Sequence, residues 1–434
     1  MTQNRKLGWR DLGNPRIALM LALSFSTGLP FLLVFGTASV RLREAGVPVS
    51  TIGLFSWLGL AYSLKFLWAP LIDAFDVPFL ARALGRRRAW MVACQVVIAA
   101  GLVGVAMSDP AASFAMTAAF TFVVAFGSAT QDIVIDAWRI DAAPDERQGI
   151  MVAAYQLGYR LALLAAGAGA LYIAEFVDWR TSYVTMAALM SIGIVASVLS
   201  PVVDRAKPAP ESKRFDLVRA VEEPLADLYS RTGGVLVVVL VLVALYRMSD
   251  FLAGTMSNPM YVDLGFTKAE IASVAKVYGV VVGIIGAFAG GLMVVRYGLL
   301  RSMLAGAAAQ AVSHLAFAWL STQGASIPAL VVAISMDNFS QSFGGTILVT
   351  YMSGLTGAGF AATQYALLSS MYALPGKLVA GASGFMVEAY GYTTFFSVTA
   401  AILIPVAALI VVVWRDPRGG LRPAAEPEDA QASP

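Results

Sequence analysis

Apolar runs of about twenty residues recur along this chain, and that is the length an α-helix needs to cross the roughly 30 Å hydrocarbon core of a bilayer. They fall near residues 17–39, 51–72, 90–107, 112–137, 150–174, 181–203, 233–254, 270–294, 301–320, 326–352, 361–387 and 392–414, twelve in all. Composition agrees, with 58% of the 434 residues hydrophobic and 13% charged. Lipid offers no partner to an open backbone amide, so the expectation is an all-α, multi-pass membrane protein. The first run follows Arg5, Lys6, Arg10 and Arg16, as a signal core would. It exceeds the roughly 7 to 15 apolar residues of such a core and is read as a retained span.

Loop charge sets orientation. With the N-terminus inside, 21 of the 30 Lys and Arg residues fall in cytoplasmic segments, against Arg41, Arg43, Arg180 and Lys268 on the other side. Both termini are therefore expected in the cytoplasm. One long polar stretch, "DRAKPAPESKRFDLVRAVEEP", follows the sixth run. It divides the chain into six-helix halves at 1–203 and 232–416, with 204–231 as a cytoplasmic linker and 417–434 as a disordered tail.

The halves echo one another, "EAGVPVSTIG" in the first against "DLGFTKAEIA" in the second. The turns "APLIDAFDVPFLARALGRRRAW" and "GGLMVVRYGLLRSM" resemble the Gly/Asp/Arg turn of the major facilitator superfamily, where a carboxylate and arginines latch the inner ends of helices. Asp73, Arg86, Arg87 and Arg88 carry the first copy as gate residues; the second has Val295 where the acid should stand. Two six-helix repeats around a mid-membrane site is a secondary-transporter plan.

An ionised side chain at the bilayer centre costs at least about 2.5 kcal/mol, so each one should face a cavity or a partner. The candidates are Lys65, Asp132, Asp136, Arg160, Arg247, Asp250, Lys276, Asp337, Lys377 and Glu388. In "ATQDIVIDAWRID", Asp132, Asp136 and Arg139 recur at helical spacing and share one stripe. Asp132, the deeper, reads as a proton-coupling acid or as a latch residue. Asp136, a turn nearer the cytoplasm, reads as a gate residue that meets Arg86, Arg87 or Arg88, or as a second coupling acid; Arg139 belongs to the same latch.

"YQLGYR" places Tyr155, Gln156, Tyr159 and Arg160 within two turns, with Arg160 either binding an anion or neutralising Asp132. Arg247 and Asp250, three apart, form a standing ion pair or open to a substrate carboxylate. Lys65 and Lys276 occupy corresponding helices, and Lys65 could instead snorkel to the interface. Lys377 follows Pro375 and Gly376, where a break in the helix is expected. Asp337 lines the cavity or pairs with a lysine, and His314, the only His, reads as a packing residue. One His and one Cys, with no zinc motif and no nucleotide loop, leave no expected metal site, cofactor or enzyme chemistry.

Five stretches in order, "SFSTGLPFLL" (24–33), "YSLKFLWAPLID" (62–73), "GRRRAW" (85–90), "ATQDIVIDAWRID" (129–141) and "FAATQYALLSS" (360–370), together resemble the AmpG-type muropeptide permeases. The resemblance implies proton-driven import of N-acetylglucosaminyl-anhydro-N-acetylmuramyl peptides across the bacterial inner membrane for peptidoglycan recycling, with an influence on β-lactamase induction. It carries Gln131, Asp132 and Asp136, Lys65, and Gln364 with Tyr365 over as functional positions. Many relatives have two more helices, which leaves a siderophore importer as an alternative; acetyl-coenzyme A transporters look similar in the "ATQD" region, and a drug carrier is a further alternative. A muropeptide's hydroxyls, amides and carboxylates suit Tyr155, Gln156, Tyr159, Gln364 and Tyr365 beside Arg160, Arg247, Lys276 and Lys377. The expected partners are this small molecule, protons and lipid, with no nucleic acid, and the expected state is a monomer.

Overall fold

The computed structural model describes residues 15–142, 145–202, 217–356 and 361–419, and among them the regular structure is helical throughout. The first helices are α1 (Pro15–Val34), α2 (Gly36–Glu44), α3 (Val49–Phe55), α4 (Leu60–Leu64), α5 (Ala69–Ala74), α6 (Leu80–Leu84), α7 (Arg86–Met107), α8 (Phe114–Ala142), α9 (Asp145–Leu164), α10 (Ala170–Phe176) and α11 (Trp179–Leu199). Then come α12 (Leu217–Thr232), α13 (Val235–Tyr246), α14 (Met248–Asp263), α15 (Lys268–Glu270), α16 (Gly279–Leu320), α17 (Ile327–Leu355), α18 (Ala361–Ala380), α19 (Ser383–Ala401) and α20 (Leu403–Arg415), with a non-helical backbone breaking α16 at Gly298 and α19 at Gly391. Among the described residues, eight helical stretches are long and apolar enough to cross a membrane.

The chain forms two compact units. Of the described residues, the first comprises those up to 202 together with 258–277, and the second those from 217 to 257 together with those from 278 onward. In the first, small residues let helix backbones approach closely, as association within lipid requires. A Cβ on Gly158 of α9 would lie 2.2 Å from the Leu21 carbonyl oxygen of α1, and one on Gly193 of α11 would lie 2.3 Å from the Ser26 side chain. The second unit does the same between α16 and α17, where a Cβ on Gly286 would meet the Phe339 carbonyl at 2.4 Å. Leu242, Tyr246, Met303, Ile347, Tyr351 and Ile410 fill its core.

Two expectations change. The run at 51–72 is a broken rod, with 3₁₀ turns at Ser56–Gly59 and Lys65–Leu67 between its α-helical pieces. Trp68 closes a 3₁₀ bond to the Lys65 carbonyl, and Pro70 opens α5. The break expected at Pro375 and Gly376 is absent, since α18 runs through both to Ala380. Membrane helices tolerate an internal proline when neighbours re-satisfy the freed backbone, and Gly376 abuts the Phe251 ring, which a Cβ would meet at 2.5 Å. The chain turns instead at residues 381 and 382, so the run at 361–387 divides there.

Candidate functional site

Each unit carries polar groups that its apolar helices cannot hide from one another. In the first, the 3₁₀ break presents Lys65 to α8, with Nζ 3.6 Å from an Asp132 oxygen. Asp132 is the more deeply buried partner, its side chain 16% exposed against 32% for Lys65. Asp136, a turn further on, pairs with Arg139 at 3.8 Å. Both carboxylates interact electrostatically with Tyr155 of α9, and Asp132 with Tyr159 as well. Those two rings stack with centroids 6.1 Å apart. Lys65, Asp132, Asp136, Tyr155 and Tyr159 therefore form one neighbourhood, and Gln156 and Arg160 stand exposed on α9.

Gln131 has a different position. It is fully buried and donates from Nε2 to Ser26 Oγ at 3.1 Å and Thr27 Oγ1 at 3.3 Å. Ser26 also accepts from Gln95, whose Oε1 accepts from Ser197. These buried amides and hydroxyls tie α1, α7, α8 and α11 together. The expected gate arginines divide similarly. Arg88 donates to the carbonyls of Leu84, Val198 and Ser200, while Arg86 and Arg87 line a small pocket with Ile133, Val134 and Ala137 of α8. The Asp73 side chain lies outside the described residues.

Residues 258–277 add a charged end to the first unit. Arg43 of α2 pairs with Asp263, and Lys268 Nζ lies 2.6 Å from Glu44 and 3.6 Å from Glu175. Lys268 sits over the Trp179 ring, whose Nε1 donates to Glu44. Thr267 and Glu270 close a capping box at the start of α15. Lys276 follows in a π-helical stretch, Ile271–Tyr278, of a kind common at functional sites. Its Nζ donates to Asn258 Oδ1 at 2.9 Å, and its stem runs beside Gly167 in the other π-helical stretch, Ala165–Gly169.

In the second unit Arg247, at the α13–α14 junction, lies 3.0 Å from Asp250 and donates to the Gln341 carbonyl at 2.7 Å. His314 of α16 is fully buried with Nε2 3.4 Å from Asp250, so the packing reading of His314 gives way to a place in a polar cluster. Asp337 of α17 accepts from Gln341 at 3.0 and 3.1 Å and from Ser313 at 3.4 Å, partners other than the lysine named in one of its two expected roles. Both acids are legible as intramembrane charges, but the histidine's partner sits 64 residues away in sequence and no local pattern announces it. Gln364 is buried at the start of α18, donating to Asp227 at 2.7 Å and accepting from Arg231 at 2.9 Å, both on α12. Tyr365 packs on the apolar core, and Lys377 is half-buried on α18.

A profile of the Major Facilitator Superfamily matches residues 17–376 and, overlapping them, 236–433. The chain is 34% identical over 405 residues to an anhydromuropeptide permease of Escherichia coli K12, spanning 93% of this chain and 80% of that protein. It is equally similar, at 34% over 405 residues, to a transporter named AmpG 4 of Rickettsia felis, spanning 92% of this chain and 96% of that one. Among solved structures, a POT family transporter in complex with a thioalcohol-conjugated peptide matches with a TM-score of 0.68 at 14% identity, over 93% of this chain and 97% of that one. The nucleoside transporter NupG matches with a TM-score of 0.66 at 15% identity, over 93% and 100%. At such identities the structural likeness is one of fold.

Proposed function

Because this chain belongs to the AmpG permeases of the major facilitator superfamily and is a multi-pass membrane transporter, we propose that it imports anhydromuropeptides from periplasm to cytoplasm using the proton gradient. The observation that carries the reading is the likeness along nearly the whole chain to a relative named for that substrate. The chemistry of the first unit supports it. Tyr155, Tyr159 and Gln156 offer hydroxyls and an amide to a sugar–peptide, and Arg160 offers a bidentate partner for a carboxylate. Arg247, Asp250, Lys276, Gln364, Tyr365 and Lys377 complete the proposed set, with Gln364 reaching substrate only if its bonds to α12 open.

Asp132 serves as a proton-coupling acid, with Lys65 as its charge partner when ionised. Asp136 and Arg139 form a latch beside Arg86, Arg87, Arg88 and Asp73, and Gln131 braces α8 on α1. The protein works as a monomer in the bacterial inner membrane, with twelve spans, both termini inside, no resident cofactor or metal, and no chemical step on its substrate.

The test is uptake of labelled GlcNAc-anhydroMurNAc-tripeptide into right-side-out vesicles containing the full chain. Accumulation above the external level, collapsed by a protonophore, is expected. Accumulation that ignores the protonophore removes the proton coupling, and absence of uptake removes the substrate.

A further inference from the structure

Four ionisable side chains from three helical segments meet inside the second unit, remote in sequence from Asp132. Arg247 and Asp250 come from the α13–α14 junction, His314 from α16 and Asp337 from α17. Asp250 reaches Arg247 at 3.0 Å with one oxygen and His314 Nε2 at 3.4 Å with the other. His314 is fully buried, Asp250 is 7% exposed and Asp337 is 9% exposed. Asp337 is anchored by Gln341 and Ser313, and Ser313 precedes His314 directly.

The charges in this cluster do not balance. The cluster holds one guanidinium, paired with Asp250, and a second carboxylate, Asp337, that interacts electrostatically with Asp250 and His314, so with a neutral imidazole these four groups carry one net negative charge in a buried place. An uncompensated charge is unfavourable there. A single proton, on His314 or on Asp337, makes the cluster neutral. Tyr246, which donates to the Met303 carbonyl, interacts electrostatically with Arg247 and Asp250, and Phe251, next to Asp250 in the chain, lies against Tyr372 of α18. Lys377 is the charged residue on α18, next to Gly376 at the Phe251 ring.

The neighbouring amide is consistent with that deficit. Gln310, one turn before His314 on α16, is fully buried, yet among the described residues neither its amide nitrogen nor its oxygen has a hydrogen-bond partner, and neither ring nitrogen of His314 nor either oxygen of Asp250 has one, the Asp250 contacts being ion pairs only. Gly344 of α17 makes room for that amide, since a Cβ there would stand 2.3 Å from Gln310 Nε2. Buried groups left open in this way are usually served by a small guest.

We propose that Asp250, His314 and Asp337 form a second proton-exchange site, in which one proton is shared between His314 and Asp337 while Arg247 stays paired with Asp250. On loading, a hydronium gives its proton to the imidazole Nε2 lone pair or to an Asp337 oxygen, breaking one O–H bond and forming one N–H or O–H bond. On release the proton returns to water and the cluster regains its negative charge. Gln310 orients the water that carries it. The proposal rests on the reading of the chain as a proton-coupled carrier and adds a second coupling site to the Lys65–Asp132 pair.

The experiment uses the full chain in proteoliposomes with labelled GlcNAc-anhydroMurNAc-tripeptide, comparing native protein with Asp337→Asn and His314→Gln. Each variant should lose gradient-driven accumulation, about tenfold or more, while keeping counterflow of labelled against unlabelled substrate, which needs no net proton transfer. Native accumulation in both variants overturns the proposal. A second measurement needs no substrate: proton uptake by the detergent-solubilised chain between pH 8 and pH 5. Asp337→Asn should take up fewer protons than native, and Asp337→Glu should restore the uptake; an unchanged value for Asp337→Asn overturns the site. If native vesicles import the tripeptide but ignore a protonophore, the coupled-carrier reading fails by itself, and the titration still decides whether the cluster binds a proton.

Discussion

Lys65 Nζ lies 3.6 Å from Asp132, and the lysine reaches that position from the 3₁₀ turn that interrupts its apolar run. An unbroken α-helix would place the side chains after the break at a different angle. The local backbone fault and the ion pair therefore belong together. Asp132→Asn should abolish accumulation against a gradient while leaving counterflow, because neutral amide and carboxylic acid are similar in shape but only one can release a proton. Loss of accumulation by about tenfold or more, equivalent to about 1.4 kcal/mol, is expected in vesicle uptake. Lys65→Met combined with Asp132→Asn should be better tolerated than Lys65→Met alone, since the single change leaves a carboxylate without its cation. Normal accumulation by Asp132→Asn would sink the coupling role.

Asp136 behaves differently, since its carboxylate is more exposed and pairs with Arg139 on its own helix. Asp136→Asn should change the rate of both accumulation and counterflow together, without uncoupling them. A selective loss of accumulation would make Asp136 a coupling acid instead.

Glu44 gathers Lys268 Nζ and Trp179 Nε1, while Arg43 beside it holds Asp263. Exposed pairs of this kind contribute only about 0 to 1 kcal/mol each. Single charge reversal at Arg43 should raise hydrogen exchange in residues 258–277 modestly, and Arg43→Asp with Asp263→Arg should restore protection. The effect should shrink in high salt, where charges more than about 3 Å apart are screened at 1 M. Exchange that stays flat in the single variant would show that apolar packing alone holds this segment.

Asp227 offers a pH test outside the spans. The hydrogen bond from Gln364, opposed by partial desolvation and aided by Arg231, holds its carboxyl below the usual aspartate range. A carboxylate lowered in the folded state stabilises that state above the unfolded value of about 3.9, and the contribution disappears as pH falls through the lower folded value. Docking of α12 on α18 should accordingly be constant from pH 8 to pH 5 and weaken only in stronger acid. Asp227→Asn should show the acid-type loosening already at pH 7, read as faster exchange of amides in 225–232. A transition near pH 6 would assign the docking to another group.

Gly158 tests the packing that positions α9 and its tyrosines. A Cβ there would stand 2.2 Å from a backbone carbonyl and 2.1 Å from Ser24 Oγ, and the carbonyl cannot rotate away. Gly158→Ala should destabilise by about 1 to 3 kcal/mol through overpacking. Gly354 on α17, where an added Cβ would meet nothing within 4 Å, is the control. Gly354→Ala should be neutral or stabilise by up to about 1 kcal/mol. Thermal unfolding in detergent distinguishes the two, and equal shifts would contradict the close approach.

Much of the plan is written in one dimension. Lipid forces backbone groups to pair within a segment, so run length alone selects membrane helices and composition alone names the class. The spacing of Asp132, Asp136 and Arg139 places them on one stripe because a helix repeats every 3.6 residues, and Arg247 and Asp250 are legible as a pair for the same reason. What tertiary structure decides is partnership across helices. His314 reads as packing until Asp250 stands beside it; Asp337 finds Gln341 and Ser313 rather than a lysine; Gln364 turns to Asp227 and Arg231. Helical periodicity says which way a side chain points from its own axis. Which helix it meets depends on small-residue contacts such as Gly158 against Leu21 and Gly344 against Gln310, whose two sides lie far apart in the chain.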